Sequence, residues 1–137
     1  MDFAVKVGST KERTIKISSE QTTNFLWEGE NVLSTPSMIS EMEETCRLLL
    51  KEQYIPLEDW DSVGTLVNIR HLAATPMGAI VAFKAKVVSA DARRVLFDVE
   101  ASDRIERIGD GTHERFIINV PNFRNKFKSK QKRLAGS

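Results

Sequence analysis

Two histidines and a single cysteine are the side chains of this sequence best suited to metal binding or nucleophilic chemistry. Cys46 has no second cysteine, which excludes an intrachain disulfide and a cysteine-based zinc cluster. His71 and His113 lie far apart and lack the HExxH spacing of a zinc-binding helix. A metal held by carboxylates and one histidine stays open, but no spacing points to one, so we predict no metal.

A helix start brings hydroxyl groups together in the first third of the chain. Ser34 and Thr35 precede Pro36, and a hydroxyl residue before a proline is a common signal for a helix N-terminus. Six apolar residues then recur at helical spacing: Met38, Ile39, Met42, Cys46, Leu49 and Leu50. Because Pro56 limits the helix, we predict that it ends near Gln53, a length of roughly 27 Å at about 1.5 Å per residue.

Most of the remaining chain alternates between apolar and polar residues, which is typical of half-buried strands. The predicted strands cover residues 13–18, 62–71, 81–87, 95–101 and 113–120, with turns at 73–78, 91–92 and 109–111. The segment 19–33 has no clean period but contains Phe25, Leu26 and Trp27, so we predict a packed loop there.

These elements predict an α+β fold in which one long helix covers the apolar face of an antiparallel sheet. That arrangement is the hotdog fold, whereas ferredoxin-like layouts usually show a second helix. A chain of 137 residues suits one domain. We predict a hotdog domain over residues 1–123 and a flexible basic tail over 124–137.

Four short motifs follow one another in a characteristic order. They are VLST at 32–35 leading to Met42 and Glu43, SVGT at 62–65, HLAATP at 71–76 and IGDGTHER at 108–115. In order and spacing they resemble the fluoroacetyl-CoA thioesterase-like family of the hotdog superfamily, and the similarity runs from about residue 32 to 128.

This resemblance implies an enzyme that hydrolyses an acyl-CoA thioester to a free acid and coenzyme A; the lack of a visible signal sequence separately predicts a cytoplasmic protein. It assigns catalysis to Thr35, Glu43 and His71, an oxyanion contact to the N–H of Gly64, and a supporting role to Arg115. His71 would be the general base, and either Thr35 or Glu43 would attack the carbonyl. The resemblance further implies a homodimer with the site at its interface, and no cofactor beyond the coenzyme A of the substrate.

Each of these residues also has a purely structural interpretation. Thr35 could be an N-cap, Glu43 could form a helical ion pair with Arg47, and His71 could be a hydrogen-bonded core histidine. Gly64 could mark a bulge or a close approach of two backbones.

The last motif contains two further polar residues whose direction the pattern leaves open. Arg115 alternates with Glu114 and Phe116, which is compatible with a side chain that points away from the core. We predict that His113 is an exposed strand residue.

One departure from the family concerns the acyl group. The fluoroacetyl-specific enzyme carries an aromatic lid shortly before the threonine, where this chain has Glu28, Gly29 and Glu30. Phe25 and Trp27 lie nearby but in a different register, so we predict an acyl-CoA thioesterase without fluoroacetyl specificity. The alternative is a non-catalytic hotdog protein that binds an acyl-CoA or another small ligand.

The net charge of +1 hides two unlike parts. Residues 124–133 contain six bases and no acid, which leaves 14 bases and 19 acids elsewhere, or about −5. The basic tail fits a solvated segment, a contact to coenzyme A phosphates, or a nucleic-acid contact. One basic run beside Phe123 and Phe127 is too little to predict a nucleic-acid partner. With no signal sequence and no long apolar run, we predict no membrane partner.

Overall fold

A long helix lies against one face of a five-stranded antiparallel sheet in the computed structural model, which describes residues 3–136. The strands, in the order in which they neighbour one another, are β1 (Thr10–Lys16), β5 (Ile80–Asp91), β6 (Arg94–Ser102), β7 (Arg107–Asn119) and β4 (Trp60–His71). The helices are α1 (Thr35–Gln53) and α2 (Val120–Ala135). A 3-10 turn (Ser19–Gln21) and a small pair of strands, β2 (Thr22–Thr23) and β3 (Val32–Leu33), precede α1. This architecture confirms the predicted hotdog fold.

Helix α1 has the predicted bounds because both of its ends are specified locally. The Ser34 hydroxyl accepts a hydrogen bond from the N–H of Ser37 at 3.2 Å, and Pro36 occupies the first turn. Lys51 lies in the last turn, where a cation favours the negative end of the helix dipole.

The hydrophobic core lies between α1 and the inward-facing residues of the sheet. Five of the six residues of the predicted apolar face are buried, and Ile39 is half-buried. Opposite them, β5 and β6 contribute the alternating buried residues Val81, Phe83, Ala85, Val87, Val95, Phe97, Val99 and Ala101. Each large apolar side chain buried in this way stabilises the fold by about 1.5–3 kcal/mol.

The predicted turn at 109–111 is wrong, because these residues lie inside β7. Both glycines are there for close approach rather than for a turn. A Cβ on Gly109 would lie 2.6 Å from the sulfur of Met38, and one on Gly111 would lie 2.1 Å from the carbonyl oxygen of Asn68. The connection from β6 to β7 instead turns at Asp103, whose carboxylate accepts the N–H groups of Ile105 and Glu106. These bonds lower the pKa of Asp103.

The loop before α1 is also less packed than predicted. Phe25 and Trp27 are 74% and 78% exposed, and Leu26 is 42% exposed. Phe25 lies at the rim of a cleft by the start of α1, so its apolar surface faces that cleft instead of the core.

The C-terminal segment is a second helix, which corrects the prediction of one helix followed by a tail from residue 124. Asn119 caps α2 by accepting the N–H of Asn122 at 3.1 Å, and Pro121 stands in its first turn. The basic run masked these start signals in the sequence. The flexibility of this segment stays a prediction. Neither of the two described helices is long and apolar enough to span a membrane.

Candidate active site

Thr35 and His71 form a hydrogen-bonded pair at the N-terminus of α1. Oγ1 of Thr35 lies 2.7 Å from Nδ1 of His71, which closes β4. The capping interpretation of Thr35 is wrong, because Ser34 is the N-cap and leaves the Thr35 hydroxyl to the histidine. A hydroxyl bonded to an imidazole nitrogen is the arrangement that activates a nucleophile by general-base catalysis.

The second ring nitrogen of His71 is left without a hydrogen bond by the described part of the chain. Nε2 is buried, yet it has no hydrogen-bond partner among the described residues. Because buried polar groups are nearly always paired, this nitrogen is an unusual, unsatisfied group. A structural core histidine would have both ring nitrogens satisfied.

An open cleft of about 610 Å³ surrounds this pair. Its lining is mostly apolar: Thr23, Phe25, Val32, Leu33, Ser34, Thr35, Pro36, His71, Leu72, Ala73 and Ala74. The cleft therefore offers an apolar wall with one reactive polar pair, which is the usual composition of a small-molecule site.

Glu43 belongs to a different cluster on the same helix. Its side chain is 38% exposed and borders a second depression together with Gly64 and Arg115. The predicted ion pair with Arg47 is not formed, because Arg47 binds Glu44 at 2.8 Å and Asp61 at 3.0 Å instead. Burial acts to raise the pKa of Asp61, but the hydrogen bonds from Arg47 and from the N–H of Ser62 outweigh it and lower that pKa.

Gly64 leaves room for the Glu43 carboxylate. A Cβ at position 64 would lie 2.6 Å from Oε1 of Glu43 and 3.0 Å from Cε1 of His113. A side chain there would displace one of these groups, so the close approach proposed for Gly64 is present. The predicted bulge is present too, since the pairing of β4 with β7 shifts between Gly64 and Leu66.

His113 is buried behind Glu43, contrary to the prediction of an exposed residue. It is 1% exposed, and its Nδ1–H donates to the carbonyl oxygen of Leu66 at 2.8 Å. Nε2 accepts a hydrogen bond from Arg115 at 3.1 Å and lies 3.6 Å from Oε1 of Glu43. These two bonds fix a neutral tautomer, because a carbonyl only accepts and a guanidinium only donates. Burial lowers the pKa of His113, and the charge of Arg115 lowers it further.

Arg115 points into the molecule rather than away from the core. It is 6% exposed and donates from Nε to the hydroxyl of Ser62 and from Nη2 to the carbonyl oxygen of Ser62, each at 2.7 Å. Burial lowers the pKa of the guanidinium, and the nearby Cys46 and Glu43 act in the opposite direction. The sequence pattern does not reveal His113 and Ser62 as members of this cluster, although His113 stands in the IGDGTHER motif two residues before Arg115.

The predicted catalytic residues therefore fall into two groups within one chain. Thr35 and His71 form the first, and Glu43, Gly64 and Arg115 form the second. Thr35 and Glu43 are eight residues apart on α1, which is about 12 Å along the helix axis. A glutamate side chain does not bridge that distance, so Glu43 does not reach His71 of its own chain.

A bulge at Thr65 decides which face of β4 each residue occupies. Gly64 pairs with Arg115 and Val67 pairs with His113, so Thr65 is left without a partner in the ladder. Strict alternation along β4 places Gly64 and His71 on opposite faces. The extra residue shifts the pattern by one, and both then face α1.

Comparison with known proteins places this geometry in a family. The sequence profile of the fluoroacetyl-CoA-specific thioesterase family matches residues 17–121. A fluoroacetyl-CoA thioesterase from Streptantibioticus cattleyicolor is 36% identical over 103 residues, covering 75% of this chain and 73% of that protein. The chain belongs to the fluoroacetyl-CoA-specific thioesterase family.

Solved structures of this family and of the wider superfamily have the same fold. The fluoroacetyl-CoA thioesterase FlK superposes with a TM-score of 0.83 at 29% identity, covering 93% of this chain and 98% of FlK. A thioesterase superfamily member from Thermus thermophilus gives a TM-score of 0.84 at 23% identity, covering 96% and 97% of the two chains. The second likeness is one of fold alone.

Proposed function

We propose that this protein is a thioester hydrolase that cleaves an acyl-CoA to a free acid and coenzyme A. The observation that carries the proposal is the 2.7 Å contact between the Thr35 hydroxyl and Nδ1 of His71, inside an apolar cleft at a helix N-terminus. Membership of the thioesterase family supports it. No cofactor beyond the coenzyme A of the substrate enters the reaction.

In the proposed mechanism, Thr35 attacks and His71 moves the proton. Nδ1 of His71 takes the hydroxyl proton while Oγ1 forms a bond to the thioester carbonyl carbon. The tetrahedral intermediate then expels the coenzyme A sulfur, which receives the proton from His71. A water molecule, deprotonated by the same nitrogen, then attacks the acyl-threonine carbonyl carbon; the bond to Oγ1 breaks, His71 returns the proton to Oγ1, and the free acid leaves. A carboxylate needs no base to attack, but Glu43 of the same chain is not part of the cleft lining and borders a separate depression with Gly64 and Arg115.

The oxyanion needs hydrogen-bond donors, and the first turn of α1 has few free N–H groups to offer. Pro36 has no N–H, and the N–H of Ser37 already donates to Ser34. The contact from this helix end therefore falls to the N–H of Thr35 and to the helix dipole. The N–H of Gly64 is the second donor in the proposal, supplied by a neighbouring subunit.

A homodimer would unite the two groups of residues. β4 is an edge strand of the sheet, and its residues 64–68 are all exposed. Such an edge is a template for antiparallel pairing with a second copy. Pairing centred near Val67 sets His71 of one subunit about opposite Gly64 of the other, which brings the partner subunit's Glu43 towards His71. There the carboxylate would stabilise the imidazolium.

The acyl group lies in the apolar cleft between Phe25 and Leu72 in this proposal. The lining favours an uncharged acyl chain over a dicarboxylic one, because a second carboxylate would lose its hydration there without a cationic partner in the lining. Phe25 gives the cleft an aromatic rim, although the family's lid position is occupied by Glu28, Gly29 and Glu30.

The test is release of free thiol from a panel of acyl-CoA substrates of increasing chain length. Cys46 is fully buried, so a thiol reagent reports coenzyme A without background from the native protein. Turnover with at least one chain length, reduced about 10²–10⁴-fold in His71→Ala, is the expected result. Tight binding of acyl-CoA without any turnover would identify a non-catalytic binding protein and refute the proposal.

Mixed dimers test the shared site directly. His71→Ala and Glu43→Gln are each expected to be inactive as homodimers. If one site takes His71 from one subunit and Glu43 from the other, random mixing restores about a quarter of wild-type activity, because half of the dimers then contain one intact site of two. A mixture that stays inactive would show that both residues act within one chain.

A further inference from the structure

Helix α2 leaves an apolar stripe uncovered between basic residues. Phe123 and Phe127 are one turn apart and are 46% and 60% exposed. None of the described residues of α2 is buried. A helix with an apolar side normally buries it, yet within the described residues only Phe123 borders other apolar side chains, Phe116 and Ile118 of β7.

Four of the six bases of α2 flank this stripe. Lys126 and Lys130 lie on one side of it, and Arg124 and Lys128 lie on the other, as the helical repeat requires. The opposite side of the helix carries the neutral residues Asn125 and Ser129 together with one base, Lys132. Long basic side chains next to an apolar stripe can extend their charges outward while their carbon chains cover apolar surface.

We propose that α2 is a peripheral anchor that lies on an anionic lipid surface, with the phenylalanine stripe in the acyl boundary and the flanking bases at the headgroups. An apolar stripe, basic flanks and low overall hydrophobicity are the features of helices that lie in the membrane interface. The anchor requires no spanning segment. It therefore departs from the predicted absence of a membrane partner, which rested on the lack of such a segment.

Charge complementarity selects this occupant over a second copy of the helix. Two α2 helices packed stripe to stripe would bring twelve bases together without an acid, because residues 120–135 contain none. An anionic surface neutralises them instead. The remainder of the chain carries about −5, so a negative surface would repel it and orient the molecule with α2 facing the lipid.

The same reasoning separates a lipid surface from a nucleic acid. A phosphate backbone accounts for the bases alone, whereas the stripe of Phe123 and Phe127 needs apolar material along its whole length. Like charges four residues apart, such as Lys126 with Lys130, also destabilise the isolated helix. Docking on a surface with many negative charges removes that repulsion.

Flotation of the full-length protein with lipid vesicles tests the proposal. The probes are vesicles of phosphatidylcholine alone and of phosphatidylcholine mixed with phosphatidylglycerol. We expect binding to the anionic vesicles, little binding to the neutral ones, and loss of binding at about 0.5 M salt, where charges are screened within a few ångströms. Equal binding to both kinds of vesicle, or to neither, overturns the proposal.

Matched variants assign the binding to α2. Lys126→Glu with Lys128→Glu should weaken binding at least 25-fold, since each base near an anionic membrane contributes about fivefold. Lys86→Glu also reverses a charge, at an exposed position of β5 outside α2. It should change vesicle binding by no more than about twofold relative to wild type, because a distant charge is screened by salt. An equal loss in both would show a general effect of net charge and overturn the assignment.

The stripe has its own pair of variants. Phe127→Ser should reduce vesicle binding by tenfold or more. The substitution removes apolar groups equivalent to several methylenes from the lipid, and each buried methylene contributes about 0.8 kcal/mol to membrane binding. Ile105→Ser removes an 89% exposed apolar residue from the β6–β7 connection and should have no effect. Binding of the same proteins to duplex DNA is measured in parallel. Tighter binding to DNA than to anionic vesicles, unaffected by Phe127→Ser, would identify a nucleic-acid surface and refute the lipid anchor.

Discussion

Nη1 of Arg115 donates a hydrogen bond to Nε2 of His113 at 3.1 Å, and both residues lie on the face of the sheet that α1 covers. The bond holds the histidine neutral and the guanidinium in place. Because Ser62 accepts the other two bonds, Arg115 has little freedom to swing towards solvent. A fixed positive charge therefore lies behind Glu43 throughout.

We expect Arg115→Met to destabilise the protein strongly. The substitution leaves Nε2 of His113 and the carbonyl oxygen of Ser62 buried without a donor, at about 1–3 kcal/mol for each group. Urea unfolding measures the loss. Arg94→Met serves as control, because Arg94 is an exposed β6 residue whose salt bridge to Glu114 is long, at 4.0 Å. Similar losses in both variants would contradict the buried network.

Stability should fall on the acidic side of neutrality because of His113. Its pKa is lowered in the folded state, so below about pH 6.5 the unfolded chain binds a proton that the folded chain refuses. The stability that depends on a neutral His113 is fully present above about pH 6.5 and is lost as the pH falls. The free energy of unfolding then decreases by at most about 1.4 kcal/mol per pH unit. Comparing urea unfolding of wild type and His113→Asn across this window isolates the effect. Parallel pH profiles would argue against it.

Thr35 and Ser34 should separate activity from stability. Thr35→Val keeps the shape but removes the hydroxyl, so we expect a loss of about 10²–10⁴-fold in kcat with little change in Tm. Ser34→Ala removes the N-cap and should cost about 1 kcal/mol of stability. Thr35→Ser is the rescue variant, since it restores the attacking oxygen. A fully active Thr35→Val would exclude Thr35 as the nucleophile.

Gly64→Ala tests whether Glu43 must keep its position. The new Cβ would lie 2.6 Å from Oε1 of Glu43, the flexible end of that side chain, and the backbone N–H would be retained, so we expect displacement of the carboxylate to be the main effect. We expect kcat to fall at least tenfold, by analogy with other small displacements of catalytic groups. Gly109→Ala meets the sulfur of Met38 and should lower Tm instead. Unchanged kcat in Gly64→Ala would show that the space is not needed.

Local signals were enough to predict most of the fold. Ser34 and Pro36 set the start of α1, and the spacing from Met38 to Leu50 set its buried face. The alternation from Val81 to Ala101 likewise predicted two adjacent strands with the correct side inward. These features depend on neighbouring residues, so one sequence is sufficient to specify them.

Features that depend on tertiary partners were beyond that kind of prediction. His113 follows the strand pattern of a polar residue, and its burial results from Arg115, Leu66 and Glu43, which come from three different elements. Gly109 and Gly111 look like a turn, because the sequence does not reveal that another element passes within van der Waals distance. The site itself was predicted only through the family resemblance, and its division into two groups became visible in three dimensions.

The unpaired Thr65 shifts the inward–outward alternation of side chains along β4 by one residue. Deleting this one residue would restore uninterrupted pairing with β7, and it would turn every side chain on one side of the deletion to the other face of the sheet. His71 and Gly64 would then no longer share a surface, although neither had been altered. We consequently expect an insertion or deletion in this strand to reduce activity more than most substitutions in it, because the spacing between SVGT and HLAATP positions the residues of the proposed site.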